Sequence, residues 1–157
     1  MRLEYFQLID RIVDLDLPTH TIRAEATVPL TSTIFEGHFS GYPLMPGVLL
    51  LEAMAQTAGW LLIAATRFQR MPFLALFKEA KLRSFVTPGQ TLALSASVVH
   101  EGSGYAITKA EANVDGKLVC NAEITFRMLD FPNPEFLAGM KKVATTITFP
   151  METLADG

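Results

Sequence analysis

Most of the chain alternates between apolar and polar residues, and one stretch does not. Ile22, Ala24, Ala26 and Val28 alternate with Arg23, Glu25 and Thr27, which predicts a half-buried strand stopped by Pro29. After a Pro88-Gly89 turn, Leu92, Leu94, Ala96 and Val98 alternate with small polar residues until Gly102-Ser103-Gly104 turns the chain. Residues 105–114 and 117–126 flank Asp115-Gly116, the strongest short hairpin signal in a sequence. Cys120 falls in phase with Leu118, Ala122, Ile124 and Phe126, which predicts a small core residue and not a reactive thiol. Residues 73–86 form another extended run. Its first half, Phe73-Leu74-Ala75-Leu76-Phe77, is apolar on both faces and predicts an interior strand. Residues 3–17 are ambiguous: Leu8, Ile9 and Ile12 fit a helix, whereas Val13-Asp14-Leu15-Asp16-Leu17 alternate as a strand. His20 and His100 fall beside turns and are expected at the surface.

The exception is residues 47–65, where only Glu52, Gln56 and Thr57 interrupt apolar or small residues. The length suits a membrane span, but Glu52 and the absence of a flanking basic asymmetry favour a buried core helix. Pro46 suits its first turn, since a proline there loses no intrahelical hydrogen bond. Glu52 and Gln56, four apart, share a face that Gly59 and Ile63 continue. A buried carboxylate costs several kcal/mol unless paired, so Glu52 needs a partner or a task. Immediately before this helix, His38 stands in a loop with Gly37, Gly41, Pro43, Pro46 and Gly47. A histidine exchanges a proton near neutral pH, a carboxyl on a dry helix holds its proton, and the amides of a helix N-terminus attract negative charge. Base, acid and anion site therefore lie within one short stretch.

Composition narrows the setting. A chain of 157 residues, half of them hydrophobic, is sized for one domain with an ample core. A net charge of −3 gives no reason to expect nucleic acid as a partner. One cysteine excludes an internal disulfide, and with no signal peptide before Leu3 the expected setting is a reducing cytoplasm.

His38-Phe39-x-Gly41-x-Pro43-x-Met45-Pro46-Gly47-Val48, followed by Glu52-Ala53-x-Ala55-Gln56, resembles the signature of the 3-hydroxyacyl-(acyl-carrier-protein) dehydratases of the FabZ/FabA type. Weaker similarity runs through residues 73–92 and 110–126, so most of 6–128 is covered. Two departures stand out: Ser40 occupies a position that is usually proline, and the helix common before the first strand is largely missing. The resemblance implies an α+β hotdog fold, an antiparallel sheet of five or six strands wrapped around one long central helix. It favours a strand over residues 9–17 and a single hotdog domain over residues 1–130. Residues 131–157 would be a C-terminal extension with no counterpart.

The implied activity is dehydration of (3R)-3-hydroxyacyl thioesters to trans-2-enoyl thioesters, in the synthesis of fatty acids or lipid A acyl chains. Glu52, where isomerising FabA-type enzymes carry Asp, implies dehydration alone. No metal or redox cofactor is implied; the substrate arrives on the phosphopantetheine of acyl carrier protein. His38 is the implied base, Glu52 the acid, the Gly47 N–H the oxyanion donor, and Gln56 the residue that orients Glu52. The family joins two sheets edge to edge, implying a homodimer or a trimer of such dimers, with His38 from one subunit facing Glu52 from the other. Two other readings stay open, a hotdog acyl thioesterase and a non-catalytic acyl-binding subunit. An acidic carrier also needs local basic surface on an acidic enzyme, and Arg67, Arg70, Lys78, Lys81 and Arg83 are the candidates.

Overall fold

The apolar stretch forms helix α2 (Gly47–Ala65), which starts directly after Pro46. It has no apolar stripe because nearly every face is covered: twelve of its nineteen residues are buried, among them Ala53, Met54, Ala58, Leu61 and Leu62 at 0% exposure. By length and composition α2 is also apolar enough to cross a membrane. Its surroundings in the computed structural model, which describes residues 1–155, are instead those of a core helix. Truncating Leu61 or Leu62 to Ala would leave a cavity costing about 2–5 kcal/mol.

Six strands wrap this helix: β1 (Arg11–Asp16), β2 (Thr21–Thr27), β3 (Met71–Leu82), β4 (Thr91–Gly102), β5 (Tyr105–Val114) and β6 (Lys117–Leu129). They form one antiparallel sheet in the order β1-β2-β4-β5-β6-β3. The alternation in the sequence becomes the two faces of the sheet. Ile22, Ala24 and Ala26 point into the core while Arg23 and Thr27 face solvent. Cys120, Ala122, Ile124 and Phe126 line the inner face of β6. Burial raises the Cys120 thiol to a pKa of about 11, against the opposing charge of Arg83, so it stays protonated and inert at neutral pH. Asp115 and Gly116 both take positive φ, 50° and 76°, in the two-residue turn that pairs Val114 with Lys117. The hotdog architecture expected from the resemblance is therefore the one observed.

The structure overturns one expectation outright. Residues 73–77 lie at the margin of the sheet, because β3 pairs with β6 alone, and Leu74 and Leu76 are 45% and 54% exposed. An apolar run reports that both faces avoid water, but it cannot say which molecule covers them. At the amino end, a three-residue 3₁₀ turn (Leu3–Tyr5) replaces the missing helix, and β1 occupies only the middle of the expected 9–17 strand.

Two helices had not been expected. The short α1 (Thr33–Gly37) leads into His38. The longer α3 (Pro134–Thr146) comes after β6; the Asn133 side chain accepts a hydrogen bond from Phe136 N at 2.8 Å, and Pro134 sits in the first turn. The C-terminal segment is fastened to the domain. Ala144, Ile147 and Phe149 are buried, and the Phe149 ring lies 5.7 Å from Trp60 and 5.5 Å from Phe68. Ile12 N donates to Ile147 O at 2.8 Å, Arg70 pairs with Asp130 at 2.7 Å, and Arg67 Nη1 donates to Leu154 O at 3.1 Å.

Candidate active site

The His38 loop is fixed at both ends. At its entry, the Glu4 carboxylate accepts hydrogen bonds from Ser32 Oγ (2.7 Å), Thr33 N (3.0 Å) and Thr33 Oγ1 (3.1 Å). The Ser32 bond is the first cause of a Glu4 pKa lowered to about 2. Ser32 Oγ in turn accepts from Ile34 N and caps α1. Beyond α1 the loop closes on itself: Phe39 N donates to Tyr42 O, Tyr42 N to Phe39 O, and Leu44 N to His38 O, all within 2.9 Å. Met45 N then donates to Val86 O at 2.8 Å, tying the loop to the chain beyond β3.

This frame fixes the imidazole. His38 Nδ1 lies 3.0 Å from Leu44 O. A carbonyl only accepts, so Nδ1 carries the hydrogen, and in the neutral ring it is Nε2 that keeps the lone pair. Phe39 stacks on the ring at 4.1 Å. His38 lines a cavity of about 500 Å³ with Met45, Gly47, Leu50, Leu82 and Arg83. Gly47 opens α2 there, and its N–H, which cannot be satisfied within the helix, has no acceptor among the described residues. A Cβ at Gly47 would lie 2.5 Å from Leu82 Cδ1, so glycine lets Leu82 pack directly over the helix start.

Glu52, about one and a half turns further along α2, faces a different cavity of about 370 Å³, lined also by Phe6, Gln56, Gly59, Trp60 and Ile63. Gln56 Nε2 donates to Glu52 Oε1 at 3.2 Å and to Phe6 O at 2.9 Å, while Gln56 Oε1 accepts from Leu8 N at 3.2 Å. Because the Leu8 N–H can only donate, the amide has one sensible orientation, and that orientation aims an N–H at Glu52. Satisfying backbone groups and orienting the carboxyl are thus one arrangement. Burial raises the pKa of Glu52, and the Gln56 hydrogen bond opposes the shift without cancelling it.

The structure therefore groups His38 with Gly47, and Glu52 with Gln56, on two separate cavities of one chain. The five basic candidates also divide. Arg83 lines the His38 cavity and donates from Nε to Asn121 Oδ1 at 2.8 Å; Lys81 pairs in register with the same Asn121, and Lys78 with Glu123. Arg67 and Arg70 come after the far end of α2, roughly 28 Å from Gly47 at about 1.5 Å per residue, where they hold Leu154 and Asp130. Sequence reasoning missed the main-chain partners of Gln56 at Phe6 and Leu8. It also missed Met140, Val143 and Ile147, which bring the C-terminal segment to the Glu52 cavity. A cap-like Asn133-Pro134 followed by Met140, Val143 and Ile147 at helical spacing was a legible signal for that segment.

The chain is similar to known proteins over most of its length. The FabA-like domain family matches residues 2–123. The FabZ 3-hydroxyacyl-(acyl-carrier-protein) dehydratase of Levilactobacillus brevis is 37% identical over 119 residues, spanning 75% of this chain and 80% of the relative. That of Chlamydia pneumoniae is 39% identical over 130 residues, spanning 80% and 84%. Among solved structures, a conserved protein of Pseudomonas aeruginosa superposes with a TM-score of 0.62 at 23% identity, over 80% of this chain and 91% of that one. A dehydratase heterocomplex from Xenorhabdus doucetiae gives 0.57 at 21% identity, over 74% and 96%. At those identities the two structures speak for the fold alone, while the closer sequences speak for descent. With the helix, its carboxyl and the histidine loop all inside the matched stretch, this chain belongs to the FabA-like domain family and, within it, to the FabZ type.

Proposed function

We propose that the protein dehydrates (3R)-3-hydroxyacyl groups, carried as thioesters on the phosphopantetheine of an acyl carrier protein, to the trans-2-enoyl thioesters of fatty acid synthesis. The observation that carries this reading is the Glu52–Gln56 pair: a carboxyl inclined by burial to keep its proton, with an amide fixed to aim it. Such surroundings favour the protonated form that a general acid must hold. Opposite it the reaction needs a base, and His38 Nε2 suits that role with its lone pair free and its ring anchored.

In this reading His38 Nε2 removes the C2 proton, and the electrons of that bond delocalise into the thioester carbonyl. Gly47 N–H, at the positive end of α2, stabilises the enolate-like oxygen. As the C3–O bond breaks, Glu52 gives its proton to the departing hydroxyl, which leaves as water, and the C2–C3 double bond forms. The proton on His38 restores Glu52 through solvent. The elimination is redox-neutral and calls for no cofactor.

One chain holds only half of this apparatus on each cavity, which supports a site shared between two subunits. The exposed apolar margin of β3 supports edge-to-edge pairing, since a twelve-residue edge strand of this kind invites another strand. We place carrier docking at Arg83, which lines the His38 cavity, and at Lys81 and Lys78 further back along β3, and cytoplasmic residence accords with carrier-linked synthesis. The test is to incubate the protein with one 3-hydroxyacyl carrier and follow its mass. Loss of one water supports dehydration, whereas release of free carrier thiol with no enoyl product would assign the site to thioester hydrolysis.

A further inference from the structure

The cavity that holds Glu52 does not end near the carboxyl. It runs along one face of α2 through Gln56, Gly59, Trp60 and Ile63, and its far wall comes from a part of the chain beyond the family match at residues 2–123. That wall is α3 and the residue just after it: Met140, Val143 and Ile147 recur at helical spacing and present apolar groups to the cavity, while Lys141 and Lys142 face away, exposed. The wall is held firmly. Ala144 is fully buried beside it, Ile147 O accepts from Ile12 N, and Phe149 packs on Trp60.

The geometry points to α3 as the determinant of acyl-chain length, with Met140 and Val143 lining the distal compartment that takes the end of a long alkyl chain. This rests on the dehydratase reading for the identity of the ligand. From Glu52 to Trp60, where the C-terminal segment makes contact, α2 rises about 12 Å at about 1.5 Å per residue. An extended chain with carbon–carbon bonds of about 1.5 Å advances roughly 1.3 Å per methylene. With C3 at Glu52, a chain of about twelve carbons reaches the level of Trp60, against which Phe149 packs just beyond α3. The longer the chain, the more of it would lie against Met140 and Val143.

The test compares full-length wild type, Val143→Phe and Val143→Ala on 3-hydroxyacyl carriers of four to sixteen carbons, and measures binding of the matching unreactive alkyl amides of pantetheine. Val143→Phe should lower the ratio of kcat/KM for sixteen carbons over four carbons at least tenfold, with a parallel loss in amide affinity confined to long chains. Val143→Ala, which adds space, should hold or raise that ratio; it also keeps the test open should the larger residue prevent folding. Dehydration by both variants with ratios within twofold of wild type would overturn the role of α3 and leave the dehydratase reading intact. Length-dependent amide binding that shifts with Val143, without water loss from any carrier, would keep the compartment and overturn the reaction.

Discussion

The two cavities of this chain are built in opposite ways. Around His38 the backbone does the work: a short capped helix, three main-chain hydrogen bonds inside the loop and one to Val86 leave the imidazole a single anchored orientation. Around Glu52 the walls are apolar side chains, and the polar atoms converge on one amide, Gln56. The carboxylate that ties the entry to the His38 loop and the one inside the second cavity differ accordingly. Glu4, exposed and surrounded by donors, is held at a pKa of about 2, while Glu52, desolvated with one donor, is pushed upward. The lesson is that a base needs position and an open lone pair, whereas an acid needs dryness, and a single loop or helix face does not readily supply both. Dividing them between cavities lets each be built well, provided a second subunit brings them together.

The largest expected effect comes from removing either member. His38→Ala and Glu52→Gln should each lower turnover of a 3-hydroxyacyl carrier by about two to four orders of magnitude with circular dichroism unchanged; near-normal rates in either variant would dissolve the contrast. Next is Gln56→Leu. Loss of a hydrogen bond to the carboxylate that forms as Glu52 gives up its proton is worth about 1.5 kcal/mol, or roughly tenfold in rate. The sign of its pH effect is fixed by the structure. The Gln56 N–H favours ionised Glu52, so its removal raises the pKa further, and the alkaline fall in rate, where the acid loses its proton, should move to higher pH. A pH–rate profile in which that limb stays put would reduce Gln56 to a structural tie.

On the His38 side, Arg83→Glu should weaken kcat/KM a few-fold for carrier-bound substrate and lessen its salt dependence, while sparing a short pantetheine analogue. Equal losses on both substrates would place the damage in the site and not in docking. The smallest effect concerns Glu4. Its depressed folded pKa gives stability that is present above the ordinary carboxylate pKa near 4.5 and lost as pH falls toward about 2. Thermal melting of wild type and Glu4→Gln should therefore differ at pH 7 and converge as the pH is lowered through that window.

What the sequence revealed was what depends on local pattern. Asp115-Gly116 announced its hairpin because two consecutive positive φ values suit few other residues. His38 and Glu52 stood out because a histidine among prolines and an acid among alanines conflict with their surroundings. Whatever depends on a distant partner stayed hidden. The apolar run in β3 looked the same whether another strand of this sheet or something outside it were to cover it. The basic residues between 67 and 83 looked like one cluster until β3 carried them to opposite ends of the domain. The role of Gln56 could be half read, since its neighbour at i−4 is local, but Phe6 and Leu8 are about fifty residues away.

The measurement closest to the centre of this account is complementation between the two inactive variants. His38→Ala and Glu52→Gln proteins, mixed in equal amounts and allowed to exchange subunits, should form mixed dimers in which one site pairs an intact His38 with an intact Glu52. With half the dimers mixed and one of two sites restored in each, about a quarter of wild-type activity should return. No recovery, in a mixture whose subunit exchange is demonstrated by native mass spectrometry, would contradict a site assembled from two chains.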